Sequence, residues 1–380
     1  MCTPVLRPMA AIITDILACL DAAYPFSWAL SGDRVGLQAG DPQASVTNVL
    51  VALEASPAVV AEARTLNAQL LLTHHPLIYQ AAADLREDRP QGRLLAAVVR
   101  AGLAAVACHT NLDLAPQGLN DHLAHRLGLE EPVVLDPVRQ EAWLKLAVFV
   151  PVGYEDQVRT ALMDDRVGVI GHYSHCSFAA RGQGTYLPLS GARPFRGEVA
   201  RLSRADESRL EVLVPESAVP ATLARLKKAH PYEEVAYDLY PLANPGLALG
   251  FGRVGHWPGG LSWKETVNRV KEVFAVSGVR VWGQPPEVVS RVAVCGGSGG
   301  DLIGQARVQG AQVYVTGEVR HHQAVPGPEE DFAVIEVGHF ASEVVFMPAW
   351  AEQVDHFLRQ RELAVQVIVS AAQTMPFQIL

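Results

Sequence analysis

The chain has 380 residues, room for about two to three domains, and a formal net charge of −9 from 31 Lys+Arg against 40 Asp+Glu. With 19% charged and 49% hydrophobic residues it is neither a disordered chain nor a coiled coil, and its acidic balance excludes a basic nucleic-acid binder. The same numbers leave a membrane span, large buried cores or large subunit interfaces as explanations.

Ile12, Ile13, Ile16, Leu17 and Leu20 recur at helical spacing, and Asp15 and Asp21 interrupt any signal-peptide core. Segment 49–73 then reads as strand, helix, strand. Shifted by 243 residues it falls on 292–316 with seven identities in 25 positions, against about one or two by chance. The identical pairs include Val49 and Val292, Ala63 and Ala306, Gln69 and Gln312, and Thr73 and Thr316. Each copy is a βαβ unit. Both halves continue alike: strand Ala104–Cys108 precedes His109 and Asp113, and strand Phe332–Val337 precedes His339 and Glu343.

Between the halves lies a shorter repeat, in which Lys145–Pro151 matches Arg209–Pro215 at a shift of 64. Each copy is an alternating strand followed by an amphipathic helix, which suggests a ferredoxin-like α+β module. Its flanks, 131–137 and 241–246, have linker composition. The expected fold is therefore α/β: a duplicated two-lobed core, with lobe 1 at 1–138 and lobe 2 at 246–380, and an α+β domain inserted at 139–245. The uncharged stretch from Leu363 to Leu380 contains Gln366, Ser370, Gln373 and Pro376, which argues against a membrane span. Cys2, Cys19, Cys108, Cys176 and Cys295 are scattered without a CxxC pair and read as thiols of a cytoplasmic protein.

Chemistry collects at strand ends. Thr73-His74-His75-Pro76 follows an apolar strand, and His109/Asp113 and His339/Glu343 follow two more, all expected in one sheet. Any one histidine alone reads as a hydrogen-bonded imidazole. Together, His, His, Asp, His and Glu suit Zn²⁺, Mn²⁺, Fe²⁺ or Co²⁺, and a bridging carboxylate allows two ions about 3.5–4 Å apart. Thr316-Gly-Glu-Val-Arg-His321-His322 is either a polar loop, a group that supports the metal ligands from behind, or a substrate-facing acid/base pair. Cys295-Gly-Gly-Ser-Gly-Gly300 is either a phosphate-cradling loop or a plain tight turn.

At these residues the chain resembles the NIF3-like (DUF34) family, whose members are named as GTP cyclohydrolase 1 type 2 homologues. The matching motifs are Asp33-Arg-Val-Gly-Leu-Gln38, Thr73-His-His-Pro-Leu77, His109-Thr-Asn-Leu-Asp113, Cys295-Gly-Gly-Ser-Gly299, Thr316-Gly-Glu318 with His321-His322, and Val337-Gly-His-Phe-Ala-Ser-Glu343. Gly171–Phe178 and His230–Glu234 resemble the PII/CutA-like middle domain of longer members. The resemblance implies a dinuclear metal centre and a toroidal homohexamer. By position, His74, His75, Asp113, His339 and Glu343 would be the ligands. Glu343 would bridge one ion on the His74/Asp113 side and another on the His75/His339 side; His109 is a weaker candidate, the alternative being that it only orients its loop.

The expected function is a metal-dependent hydrolase. It would act through a metal-activated water on a nucleotide or another phosphorylated or cyclic small molecule, with His321 or His322 protonating the leaving group. GTP ring opening is the alternative reaction. A metal-binding regulatory or scaffold ring without catalysis is the alternative outside enzymes. The expected partners are further copies of the chain and a small molecule, not a membrane or nucleic acid.

Overall fold

Short apolar runs make the parallel strands of this chain; a computed structural model describes residues 11–82, 84–164, 166–325 and 331–377. Cys2 lies outside the described residues. In chain order the first half contains β1 (Ala11–Ile12), α1 (Ile13–Ala23), β2 (Gly36–Ala39), β3 (Ser45–Val46), β4 (Asn48–Ala52), α2 (Pro57–Thr65), β5 (Leu70–Thr73), α3 (Pro90–Arg100), β6 (Ala104–Ala107), α4 (Thr110–Leu114), α5 (Leu119–Leu127) and β7 (Glu130–Glu141). β4, β5 and β6 pair in parallel, with Val49 opposite Leu70 and Leu70 opposite Ala104. Every residue of β5 and β6 is buried, as expected of parallel strands covered on both faces. Ser56 starts α2 by accepting a bond from Val59 N, and Pro57 follows at the position where a missing N–H costs nothing.

The chain then forms β8 (Trp143–Pro151), α6 (Glu155–Leu162), β9 (Ser177–Tyr186), β10 (Ser203–Pro215), α7 (Val219–Ala229) and β11 (Tyr237–Pro241). Their antiparallel sheet has the order β11-β8-β10-β9. This is the β-α-β-β-α-β order of ferredoxin-like modules. The two sequence-repeat strands are its central pair, with Lys145 opposite Leu213 and Pro151 opposite Glu207. Leu146, Val148, Val150, Leu210, Val212 and Val214 alternate inward and meet Val158, Leu162 and Leu226 from the helices. Residues 139–248 form one compact unit, and residues 1–138 with 249–380 form the other.

The last stretch comprises β12 (Leu247–Ser262), α8 (Trp263–Val273), β13 (Arg280–Gln284), β14 (Val288–Cys295), α9 (Ile303–Val308), β15 (Val313–Thr316), α10 (His321–Ala324), β16 (Phe332–Glu336), α11 (His339–Val344), α12 (Met347–Gln360) and β17 (Gln366–Val369). β14, β15 and β16 are parallel and repeat β4, β5 and β6. The expectation of one sheet for all the strand-end clusters is corrected: there are two, ordered β17-β4-β5-β6-β2 and β13-β16-β15-β14-β12-β7. The reason is that each half brings its own antiparallel edge. β2 closes beside β6 and β13 closes beside β16, so the repeated strands β4–β6 and β14–β16 never pair with each other.

Two features tie sequence repeat to fold. Gln69 Oε1 accepts from the backbone N–H of Thr47 and Asn48 at 2.9 and 3.0 Å, and Gln312 Oε1 does the same for Ser290 and Arg291 at 2.7 and 3.0 Å. The repeated glutamine thus pins the preceding strand just before its parallel pairing begins, at Val49 in one half and Val292 in the other. The halves also exchange helices. α5 packs on β14 and α8, whereas α12 packs on β4, β17 and α1, and β17 itself pairs with β4. One continuous core results, in which Ile16, Leu72, Val294, Phe346 and Trp350 are all buried. Among the described residues no helix is long and apolar enough to cross a membrane.

Candidate metal centre

The backbone first explains why these side chains meet. The ladder runs past the end of β5: His74 N donates to Ala52 O at 3.3 Å and His75 N to Leu53 O at 2.8 Å. Both histidines are therefore held at the carboxyl end of the sheet. After β6, His109 caps α4 and places Asp113 in its first turn. After β16, Gly338 turns the chain at φ +96°, a conformation that favours glycine, so that α11 starts at His339 with Glu343 one turn on.

Glu343 lies at the centre. Its Oε1 is 3.8 Å from His74 Nε2, and Asp113 Oδ1 is 3.6 Å from that same nitrogen. Its Oε2 is 3.0 Å from His75 Nε2 and 3.3 Å from His339 Nε2. Two sets of ligand atoms, one from His74, His75 and His109 and one from His75, His339 and Glu343, each lie within 4.8 Å of one another.

Every imidazole is fixed through its other nitrogen. Nδ1 of His74 bonds Cys108 O at 2.9 Å, and Nδ1 of His75 meets Glu54 Oε2 at 3.4 Å. Nδ1 of His339 meets Glu318 Oε2 at 3.1 Å, and Nδ1 of His109 meets Asp33 Oδ1 at 2.9 Å. This is the arrangement that orients metal-binding imidazoles, with Nε2 left for the ion. Asp33 also accepts from Thr110 N at 3.1 Å, which fixes the start of α4.

Fit for a cation is tested by the polar atoms that nothing satisfies. His74 Nε2, Asp113 Oδ1 and Glu343 Oε2 are buried and make no hydrogen bond; the first two face each other at 3.6 Å, and Glu343 Oε2 lies against His75 and His339. The 3.0 and 3.3 Å approaches of His75 and His339 to Glu343 are close but not angled as hydrogen bonds. Facing acceptors such as His74 Nε2 and Asp113 Oδ1, with no donor between them, are costly in a buried site and are what a cation relieves. The residues fit the group.

Without a cation the protons redistribute. Burial pushes His74 down to about 3, so it stays neutral with a lone pair available. Burial also disfavours charge on His75, but Glu343 and Glu54 outweigh it and raise it to about 10. His339 rises to about 9 chiefly through Glu343. Burial raises Asp113 to about 7. Glu343 is held well below the usual carboxylate range, the histidines around it overcoming its burial.

The cluster opens on a cavity of about 690 Å³. His75, His109, Asp113, His339 and Glu343 form one wall; Leu30, Tyr79, Phe251 and Leu302 form apolar parts of the rest. Cys295 also faces it, its thiol pushed up to about 12 by burial and therefore a poor nucleophile. His321 and His322 are not brought to this cluster. They are exposed on α10, and His322 instead lines a separate cavity of about 400 Å³ with Trp282 and Arg307.

The glycine-rich loop is a clasp. Gly296 N donates to Asn120 Oδ1 at 3.1 Å, while Asn120 Nδ2 donates to Asp113 O at 3.0 Å. Gly297 N donates to Ser342 Oγ at 2.9 Å, one residue from Glu343. A Cβ on Gly297 would sit 2.4 Å from Glu343 Oε1, so the close approach requires glycine. The loop is strapped to α5, whose Asn120 in turn holds the Asp113 carbonyl, and to α11, which bears Glu343; the N–H groups of Gly296 and Gly297 are engaged there. Asn120 and Glu54 carry no local sequence signal of these roles. Asp33, Glu318 and Ser342 lie inside motifs that are visible in the sequence.

Known proteins resemble this chain along nearly its whole length. The pattern of the family Duf34/NIF3 (NGG1p interacting factor 3) matches residues 11–376. A Bacillus subtilis (strain 168) protein named GTP cyclohydrolase 1 type 2 homolog is 39% identical over 366 residues, covering 96% of this chain and 98% of its own. The crystal structure of a Bacillus cereus protein related to NIF3 superposes with a TM-score of 0.85 at 36% identity, covering 98% of this chain and 100% of that one. A Staphylococcus aureus structure superposes at 0.70 with 26% identity, covering 99% and 100%. A duplicated α/β core, a cluster that could hold a metal ion and likeness along nearly the whole length lead to one conclusion: the chain belongs to the Duf34/NIF3 family.

Proposed function

We propose that this protein is a metal-dependent hydrolase of a cyclic or phosphorylated small molecule, built on a centre for two divalent ions. Three buried, unsatisfied atoms within one cluster, His74 Nε2, Asp113 Oδ1 and Glu343 Oε2, carry the reading. His74 and Asp113 would hold one ion, His75 and His339 the other, and Glu343, with one oxygen toward each group, would bridge them. When bound, such ions acidify coordinated water and polarise an electrophilic carbon or phosphorus.

The chain's own residues do the rest. Cys108 O, Glu54 and Glu318 fix the imidazoles so that their Nε2 atoms are presented in advance. His109, locked by Asp33 and lining the cavity, is better placed than His321 or His322 to exchange a proton with a ligand. Asn120 and Ser342 keep the ligand-bearing helices of the two lobes in register.

Protein purified without chelator and reloaded with Zn²⁺, Mn²⁺ or Fe²⁺ should turn over a member of a panel of cyclic amides, nucleotides and phosphoesters, and His74→Ala should abolish that turnover while the assembly stays intact. Silence across the panel in the fully loaded protein would overturn the catalytic reading. Collapse of the oligomer on losing His74 would favour a metal-stabilised scaffold instead.

A further inference from the structure

The apolar part of the cavity lining points to what the cavity takes. Leu30, Tyr79, Phe251 and Leu302 line it, Tyr79 with most of its ring exposed and set edge-on to His109 at 6.3 Å between ring centroids. Among the described lining residues there is neither lysine nor arginine, while Asp301 adds a carboxylate to those of the cluster.

Phosphate recognition needs something this lining does not offer. A triphosphate is held by cationic side chains or by a crown of backbone N–H groups. The glycine-rich loop is the available crown, and three of its N–H groups are engaged: Gly296 by Asn120, Gly297 by Ser342 and Gly299 by Gly297 O. Nor do bound cations leave a large positive field for a polyanion. The carboxylates of Asp33, Glu54, Asp113, Glu318 and Glu343 surround them and offset their charge. Apolar and aromatic surface lining one cavity with a polar, metal-ready edge suits a flat ring that is apolar on its faces and polar at its rim. A volume of about 690 Å³ admits such a ring with a sugar attached.

We propose that the cavity binds an uncharged planar nitrogen heterocycle of nucleobase or nucleoside size, stacked at Tyr79 and Phe251 with its polar edge toward the cluster, in preference to a nucleoside triphosphate. This rests on the hydrolase reading for its relevance, but binding tests it separately from turnover.

The experiment is equilibrium calorimetry on the full-length, metal-loaded protein, with guanosine, adenosine, free purine and GTP as probes. At least one uncharged ring should bind as tightly as GTP or tighter. Tyr79→Ala, an exposed position whose loss leaves the core intact, should weaken that ring by about tenfold or more, the usual scale for a lost stacking partner. Phe251→Ala should act in the same direction, and Phe251→Tyr should restore most of the binding. GTP binding about tenfold tighter than every uncharged ring would overturn the proposal, as would a Tyr79→Ala protein with unchanged affinity or no binding by any of the uncharged probes. A ring that binds but is never turned over would retain the ligand class and remove the hydrolase; turnover of GTP alone would do the reverse.

Discussion

At the carboxyl end of β5, lobe 1 carries Thr73-His74-His75; at the matching end of β15, lobe 2 carries Thr316-Gly317-Glu318. The frame is the same and the furniture differs. His74 offers a neutral imidazole, while a Cβ on Gly317 would meet Gly297 O at 2.5 Å and Ser342 Oγ at 2.4 Å. His75 faces Glu343 directly, while its counterpart Glu318 instead holds His339. One strand earlier, Glu54 reaches His75, and its counterpart Gly297 makes room for Glu343. A duplicated frame brings equivalent positions toward a common place, so a single centre forms only if one copy contributes side chains where the other withdraws them.

The largest expected effect lies at the residue both halves share. Glu343→Gln should remove both ions, because each of its oxygens faces a different ligand group, whereas Asp113→Asn should leave one ion behind. Metal content per protomer by plasma mass spectrometry checks this; a Glu343→Gln protein that keeps both ions breaks the bridging role and the asymmetry with it.

The second test is pH. In the metal-free protein His75 and His339, at about 10 and about 9, are protonated at neutral pH, and a cation must displace those protons. Their raised values stabilise the metal-free fold below about pH 6.5, and that contribution is lost as pH rises through 9 to 10. Metal affinity should therefore climb with pH between 6 and 8, with roughly two protons released per fully loaded protomer. Calorimetry in buffers of different ionisation enthalpy reads the number directly. Zero release would mean that His75 and His339 are already neutral in the metal-free protein, and that Glu343 does not hold their protons.

A smaller effect separates the supporting carboxylates. Glu318→Gln should weaken metal binding by about 10–100-fold, as loss of an orienting partner commonly does. Glu54→Gln should do less, since its contact with His75 is longer, 3.4 Å against 3.1 Å. Titration of both variants with Zn²⁺ decides, and the reverse ranking would move the more rigid half of the site from lobe 2 to lobe 1.

Much of this is visible in the amino acids because it is local. The βαβ repeat shows in seven identities, and the His-x-x-x-Asp/Glu pairs show because one helical turn puts them on one face. What escapes is set by distance in sequence. Asn120 and Ser342 acquire their roles only when the glycine-rich loop of lobe 2 lies against them, and the exchange of α5 and α12 depends on which apolar face finds the other lobe. The split into two sheets hangs on β2 and β13, short edge strands with a weak pattern of their own. His321 and His322 adjoin a telling motif, yet α10 leaves them exposed to solvent.

The smallest effect tests the frame itself. Gln69 and Gln312 each accept two backbone N–H groups just before a strand's parallel pairing begins, and each is partly buried. Replacing either by alanine leaves those donors to water, at a cost of about 1–2 kcal/mol. Gln69 also donates to Asn67 O at 2.6 Å, which should place its cost at the upper end. The two sites lie in different sheets and share no partner, so the double variant should lose the sum to within about 0.5 kcal/mol. Urea midpoints at constant m-value measure all three. If one substitution is silent while the other is costly, the duplication governs topology but not stability, and one lobe folds on contacts the other does not use.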